Sequence, residues 1–382
     1  MDDTSIKALW HKAEEMDRTL HITRAHLGKL KEKLVEPEEF SREKMFRNMA
    51  ERKVSIFRGL PVLVDKGREG STRDALIRAL SDQFPAGETS RVQVGPSHRV
   101  TRLPVREIMR RWLGGRAIVG VTDLHIRNTD VERVIDTKSL SDFNTIIRGS
   151  EDLARQEMMT LVIASAGNVT DSHSDDPDGT NHCFFGTKLW LAWDSFEGSA
   201  NGLEDVSRTT LYRQARFNMN RFLELESSCW FLVSEGETLF LPGNLAHKVL
   251  TMEPYLGVGS FHIGLPGSLD TLTRWLYHGP LWSIDDPEGE NSDLVDDAAQ
   301  ATLRVARRAA SGSDRVKHTW GYNYLGEAYR VWEGSTPAQI RRQVLEHPAL
   351  EELVEIGKEM AGRDRSTGRT RRVPYHSELL PL

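Results

Sequence analysis

Residues 168–194 read NVTDSHSDDPDGTNHCFFGTKLWLAWD. On an extended strand, residues two apart point to the same side, so His173 and Asp175 project together and can grip one ion. An imidazole and a carboxylate suit a borderline metal such as Fe(II), and one further histidine would complete a facial triad with three coordination positions left open. His247 is the candidate third ligand. It lies in ETLFLPGNLAHKVL, where a strand meets the Pro242-Gly243 turn before the chain re-enters an apolar run. A histidine at such a strand mouth points into a barrel's cavity. Each part alone is weak, since a lone histidine is more often a hydrogen-bonded core residue and DSHSDDPDG also reads as a solvated acidic loop. Asp171, Asp176 and Asp178 are assigned to that loop, with contact to a cationic substrate as the alternative. His182 and His262 are rival ligands, but neither forms a His-x-Asp pair, and both are left out of the metal set.

Lys188 sharpens the reading. Alternation in FFGTKLWLAW places Phe184, Gly186, Lys188 and Trp190 on one face and Phe185, Leu189, Leu191 and Trp193 on the other, and neither face is hydrophilic. Burying an ammonium there is costly unless an anion meets it. A dicarboxylate with one end on the metal and the far carboxylate on Lys188 would supply that anion. The competing reading is an edge-strand lysine whose charged tip reaches water.

Working outward, 117–264 is a series of short strands: AIVGVTDLHI, MMTLVIASA, FFGTKLWLAW, ETLFLP, HKVLTM and LGVGSFHIG. Their spacing predicts a mainly β core, an all-β barrel or jelly roll with helical decoration. VSIFRG and PVLV, from Val54, open this domain as two further strands. Ser71 and Thr72 cap a helix over RDALIRAL, and Pro104 opens VREIMRRWL, which stops at Gly114 and Gly115. Before Val54, apolar residues Ile6, Leu9, Trp10, Ala13, Met16 and Leu20 recur at helical spacing. Beyond Asp285 the pattern is helical again, ending in a polar, basic tail from Arg363. The expected organisation is a helical segment over 1–53, a β domain with helical decoration over 54–285, and a helical region with its tail over 286–382.

At 382 residues, with 38% hydrophobic and 28% charged side chains, the chain can bury a substantial core and is not a disordered one. The net charge of −6 argues against nucleic acid as a partner. No run is apolar enough to span a bilayer and MDDTSIKALW lacks the features of a signal peptide, so the expected compartment is the cytoplasm, with no membrane partner. Cys183 and Cys229 are too few for a disulfide framework.

Taken in order, T-x-x-H-x-D at Thr170, His173 and Asp175, P-x-G-T-N at Pro177 to Asn181, G-x-K-x-W at Gly186, Lys188 and Trp190, and L-F-L-P-x-x-x-x-H at Leu239 to His247 form a pattern. The chain resembles, over about residues 100–280, the JmjC branch of the Fe(II)/2-oxoglutarate-dependent oxygenases, cupin-like enzymes built on a double-stranded β-helix. The resemblance implies iron on His173, Asp175 and His247, and 2-oxoglutarate as cosubstrate with its far carboxylate on Lys188 and Thr170. Asn181 would contact the cosubstrate near the metal, with Thr180 as the alternative. Thr170 requires a bend before His173, because on a straight strand its side chain would face the other way. Ser260 or His262 is expected to line the cavity.

The implied reaction consumes O2 and 2-oxoglutarate, releases succinate and CO2, and hydroxylates a C–H bond. With no reader or DNA-binding module visible, a small molecule, an amino-acid derivative or a protein side chain is the expected substrate. Demethylation of an N-methyl-lysine protein on the same core is the second reading. A non-catalytic cupin-like metal-binding or scaffold protein is the third. The helical flanks would pack on the barrel, cover its mouth or join two copies as a homodimer.

Overall fold

Alternating apolar residues between Ser55 and His262 sort the strands into two sheets that share one interior. The structure, a computed structural model, describes residues 1–67, 70–83, 89–94, 100–115, 119–126, 130–145, 159–175, 177–203, 217–243, 245–278 and 291–367. Its strands are β1 (Glu38–Glu39), β2 (Ser55–Arg58), β3 (Leu63–Val64), β4 (Thr89–Val94), β5 (Val100–Pro104), β6 (Val119–His125), β7 (Ile135–Asp136), β8 (Met159–Ala164), β9 (Val169–Ser174), β10 (Asp178–Phe185), β11 (Thr187–Asp194), β12 (Cys229–Ser234), β13 (Glu237–Leu241), β14 (Leu245–Thr251) and β15 (Tyr255–His262). A nine-stranded sheet runs β1-β2-β13-β10-β15-β8-β6-β4-β5, and a four-stranded sheet runs β12-β11-β14-β9. Apart from the parallel β1–β2 contact, the pairings in both are antiparallel. β3 and β7 form a separate two-stranded ribbon.

The side-chain period of two decides which core each residue enters. Val162, Ala164, Cys183, Leu239, Leu241 and Tyr255 of the large sheet meet Trp190, Ala192, Phe231, Val233, Leu245 and Val249 of the small one, so the sheets face each other. Leu161, Ile163, Phe184, Phe240, Leu256 and Val258 point the other way, into a core shared with the helices Arg42–Ala50, Thr72–Gln83 and Val105–Gly114. On the back of the small sheet, Leu189, Leu191, Trp193, Trp230, Ala246 and Leu250 pack under the N-terminal helices. Both sheets are therefore covered on both faces.

FFGTKLWLAW proves to be two strands, not one. β10 ends at Phe185, Gly186 turns the chain at φ 91°, and β11 continues in the other sheet. A Cβ on Gly186 would sit 2.1 Å from the carbonyl oxygen of Pro254, so only glycine fits this turn. Phe184 and Lys188 consequently face different cores, because the turn resets the alternation.

The helix α1 (Asp3–Met16) starts at Asp2, whose carboxylate accepts from the Ser5 N–H at 2.7 Å. Ile6, Trp10 and Ala13 form its buried stripe. Trp10 meets Trp230 edge to face at 5.3 Å between centroids, and Lys12 Nζ donates to the Met252 carbonyl at 2.9 Å. This helix packs on the body of its own chain. Ser71 Oγ caps the helix Thr72–Gln83 by accepting from the Asp74 N–H, and Gly115, at φ 60°, ends the helix Val105–Gly114.

A further core lies among the C-terminal helices, and it reaches back to Ile263, Leu265 and the helix Ser268–His278. The helical region thus begins ahead of residue 286, since Leu269, Leu272 and Trp275 bury their apolar stripe against Ala298, Leu303 and Leu353. The basic tail beyond Thr367 lies outside the described residues. Among the described residues, no helix is long and apolar enough to cross a membrane.

Trp10 is fully buried on a helix otherwise rich in charge. Trp10→Ala should lower stability by about 3–5 kcal/mol, the usual cost of emptying a buried tryptophan site. Urea unfolding followed by circular dichroism would show the loss as a reduced midpoint.

Candidate metal centre

His173 and His247 arrive on neighbouring strands and are directly paired across the β9–β14 ladder. The register then slips. Ala246 pairs with Ser174 and His247 with His173, but Val249 pairs with Thr170, so Asp171 and Ser172 together oppose Lys248. Two residues against one is a β-bulge, which reverses the alternation on the bulged strand. Thr170 and His173, three apart in sequence, are thereby both turned toward the interior that Val249 enters. The bend required before His173 is present, and a ladder irregularity produces it.

His173 Nδ1 lies 2.8 Å from the Asp171 carbonyl oxygen, and His247 Nδ1 lies 3.0 Å from that of Leu245. Each ring can donate an Nδ1–H to the carbonyl two residues before it. The donation fixes the tautomer and leaves Nε2 as a lone-pair donor. One ligand atom each from His173, Asp175 and His247 lie within 4.8 Å of one another, close enough to hold a metal ion. The His247 ring, fully buried and 4.2 Å from that of His173, is pushed down to about pKa 4 by burial and then by its neighbour. It is neutral at physiological pH, the form that binds metal. Two imidazoles and a carboxylate form a set with the donors and the free coordination positions of a 2-His-1-carboxylate centre.

Lys188 stands on the same interior wall. Register places it opposite Thr251, with Trp190 opposite Val249 and Ala192 opposite His247 along β11 and β14. β11 is a central strand between β12 and β14, so the edge-strand reading of Lys188 fails. The side chain is 3% exposed, and Nζ sits 4.6 Å from the centre of the Tyr255 ring. No carboxylate among the described residues pairs with it. Burial pulls the ammonium down to about pKa 8, with Cys183 the opposing influence. The Tyr255 hydroxyl in turn donates to Asn181 Oδ1 at 2.5 Å. Asn181, flanked by Leu239 and Gly259, faces the interior. Register and parity therefore turn Thr170, Lys188 and Asn181 toward the same space between the sheets as His173 and His247.

His182 and His262 are on the other side of the large sheet. His182 Nδ1 is 2.8 Å from Thr238 Oγ1 and its ring packs on Phe184. His262 is wedged edge-on against Phe143 at 4.7 Å. Burial lowers both to about pKa 4. Ser260 and His262 share the parity of Leu256 and Val258, so neither lines the space between the sheets. That expectation is corrected: by parity the strand's inward positions are Tyr255, Gly257, Gly259 and Phe261. Thr180 also faces outward, bonding to the Ser260 carbonyl at 3.3 Å.

Asp178 is not a solvated loop residue either. It is 5% exposed and accepts from the Gly243 N–H at 2.9 Å and from Thr271 Oγ1 at 3.1 Å. Asp171 pairs with Lys248, and Asp176 lies outside the described residues. Around Asp178, Arg52 donates to the Gly243 carbonyl at 2.9 Å and pairs with Asp270. Arg274 bridges Asp270 at 3.0 Å and Asp194 at 2.8 Å. This network grips both peptide groups of the turn that leads into β14 and the last residue of β11. Arg52 adopts a left-handed φ of 55° to reach it.

Tyr255 was not foreseen from sequence. Its signal lay in YLGVG, where glycines alternate with it and leave room beside its ring; a Cβ on Gly257 would come within 2.8 Å of the Tyr255 ring. Comparison with known protein families and with curated proteins found no match.

His173→Ala, Asp175→Ala or His247→Ala should abolish tight binding of one Co(II) per chain in isothermal titration. His182→Gln and His262→Gln should leave that stoichiometry at one, because their rings face another core.

Proposed function

We propose that the protein is an Fe(II)- and 2-oxoglutarate-dependent oxygenase of the JmjC kind, its two facing sheets forming a double-stranded β-helix. The observation that carries this reading is Lys188, a buried ammonium with no carboxylate partner among the described residues, on the wall that also bears His247. Its charge bears on His247, so an anion between them would meet both the metal and the ammonium. A dicarboxylate with a metal-chelating end matches that pair of demands better than a monoanion does.

His173, Asp175 and His247 would hold iron, which supplies the redox chemistry coupling oxidative decarboxylation of 2-oxoglutarate to hydroxylation of a C–H bond, with succinate and CO2 released. The chain's own residues do the rest. Lys188 and Thr170 receive the far carboxylate, and the charge-assisted bond from Lys188 orients the cosubstrate. Tyr255 holds Asn181 so that its amide N–H groups are left to donate into the cavity. Trp190, its ring 5.4 Å from that of His247, and Val249, Leu239 and Val162 keep the wall apolar and exclude water. The indole N–H of Trp190 has no acceptor among the described residues. A buried donor left so costs about 1–3 kcal/mol, which favours a ligand or water oxygen beside it.

The preferred outcome is hydroxylation of a small molecule, an amino-acid derivative or a protein side chain. Purified protein given Fe(II), 2-oxoglutarate and O2 is expected to form succinate, and more of it when a substrate is supplied. Formaldehyde release would select demethylation, and failure to bind 2-oxoglutarate in the metal-loaded protein would favour a scaffold.

The Lys188 ammonium must be charged to receive a carboxylate. Because its pKa is lowered to about 8, 2-oxoglutarate should bind at full strength below that pH and weaken about tenfold per unit above it. Anaerobic titration across pH 6.5–9.5 tests this. Lys188→Met should weaken binding by about 10- to 100-fold, the worth of one hydrogen bond to a charged group, and should flatten this pH dependence.

A further inference from the structure

The outer face of β14 carries Ala246 and Leu250, both buried under the N-terminal helices. Lys248 lies between them in sequence, at the bulge, and is 3% exposed. An ammonium at such a position costs several kcal/mol unless paired, and a leucine there would have continued the apolar stripe. Lys248 Nζ lies 2.8 Å from Asp17 Oδ2 and 3.2 Å from Asp171 Oδ1. Asp17 ends α1, and its other oxygen accepts from the Thr19 N–H at 2.9 Å, so its place is set by the N-terminal segment.

Two attachments of Asp171 point in different directions. Its carboxylate is held by Lys248, and its carbonyl oxygen is the partner of His173 Nδ1 at 2.8 Å. Asp171 is also one of the two residues that oppose Lys248 across the bulge, where regular ladder bonds are lost and the backbone has fewer constraints of its own. Whatever fixes the orientation of the Asp171 peptide fixes the ring that it orients.

We propose that Lys248 is a positioning residue for the metal centre, acting through Asp171 on His173, with Asp17 of the N-terminal segment as its anchor. The inference rests on the metal-centre reading and is independent of which reaction the centre performs. It makes the N-terminal segment part of the site's machinery: a chain of contacts runs from the end of α1 through the sheet to a ligand on its other face. Groups that orient metal-bound histidines typically alter metal affinity 10- to 100-fold when removed.

The test uses Co(II), whose visible absorption reports ligand geometry, on the full chain. Lys248→Met keeps the apolar stem and removes the charge. It should weaken Co(II) binding by about 10- to 100-fold and change the shape of the visible bands, and Lys248→Arg should restore most of the affinity. Asp17→Asn leaves the Lys248–Asp171 contact in place and should give a smaller loss in the same direction; it carries the test if Lys248→Met does not fold. A role in stability alone would lower the unfolding temperature while the folded protein kept its Co(II) affinity and spectrum. Wild-type affinity and spectrum in either folded variant overturn the proposal. Wild-type protein that binds no Co(II) overturns the metal-centre reading itself.

Discussion

At the bulge between Thr170 and His173, β9 slips by one residue against β14, and the polar wall of the interior depends on that slip. A regular strand would send Thr170 and His173 to opposite faces. With His173 inward, Thr170 would enter the apolar core beneath α1, where its hydroxyl would need a partner among leucines and tryptophans. With Thr170 inward, His173 would leave His247 without its neighbour. The bulge removes the conflict by setting two residues of β9, Asp171 and Ser172, against Lys248 alone.

The small sheet carries two buried lysines on opposite faces, and they meet the same physical problem in different ways. Lys248, on the outer face, is neutralised by Asp17 and Asp171. Lys188, on the inner face, has the Tyr255 ring below it and no carboxylate beside it among the described residues. Desolvation is unfavourable for both. One cation is matched by two carboxylates of the chain, while the other, on the face that also bears His247, has an aromatic ring as its neighbour, and burial pulls its pKa down accordingly.

Packing outside the two facing sheets serves the same end. The network of Arg52, Asp178, Asp194, Asp270 and Arg274 joins the Pro242-Gly243 turn, the start of β10 and the end of β11 to the helix Ser268–His278. His247 follows that turn by four residues, so helices on one side of the molecule hold the entry to its strand. The N-terminal segment braces the other ligand strand through Lys248. Donor atoms that could hold one metal ion keep their mutual geometry better on strands tied at both ends than on loops.

Much of this was legible in the chain before it was folded. Periodicity located the strands, the flanking helices and their caps, since a period of two and one of three to four are properties of local backbone geometry. The His-x-Asp pair shares a face by the same arithmetic, and a lysine amid LWLAW implied a buried charge. Sequence alone left open which core each face would enter. Parity ranks residues relative to one another and is reset wherever a turn or bulge intervenes. Gly186 reset it between Phe184 and Lys188, and the β9 slip reset it between Thr170 and His173. Ser260 and His262 looked like cavity residues until the β15 register turned them outward and left Tyr255, two glycines and Phe261 on the inward face. Asp178, an acidic loop residue by composition, became a buried structural anion because the Gly243 turn came to it from 65 residues away, while half-exposed Asp171 gained Lys248 from 77 residues away. Local pattern determined which side chains could act together; pairing between strands distant in sequence decided which of them meet.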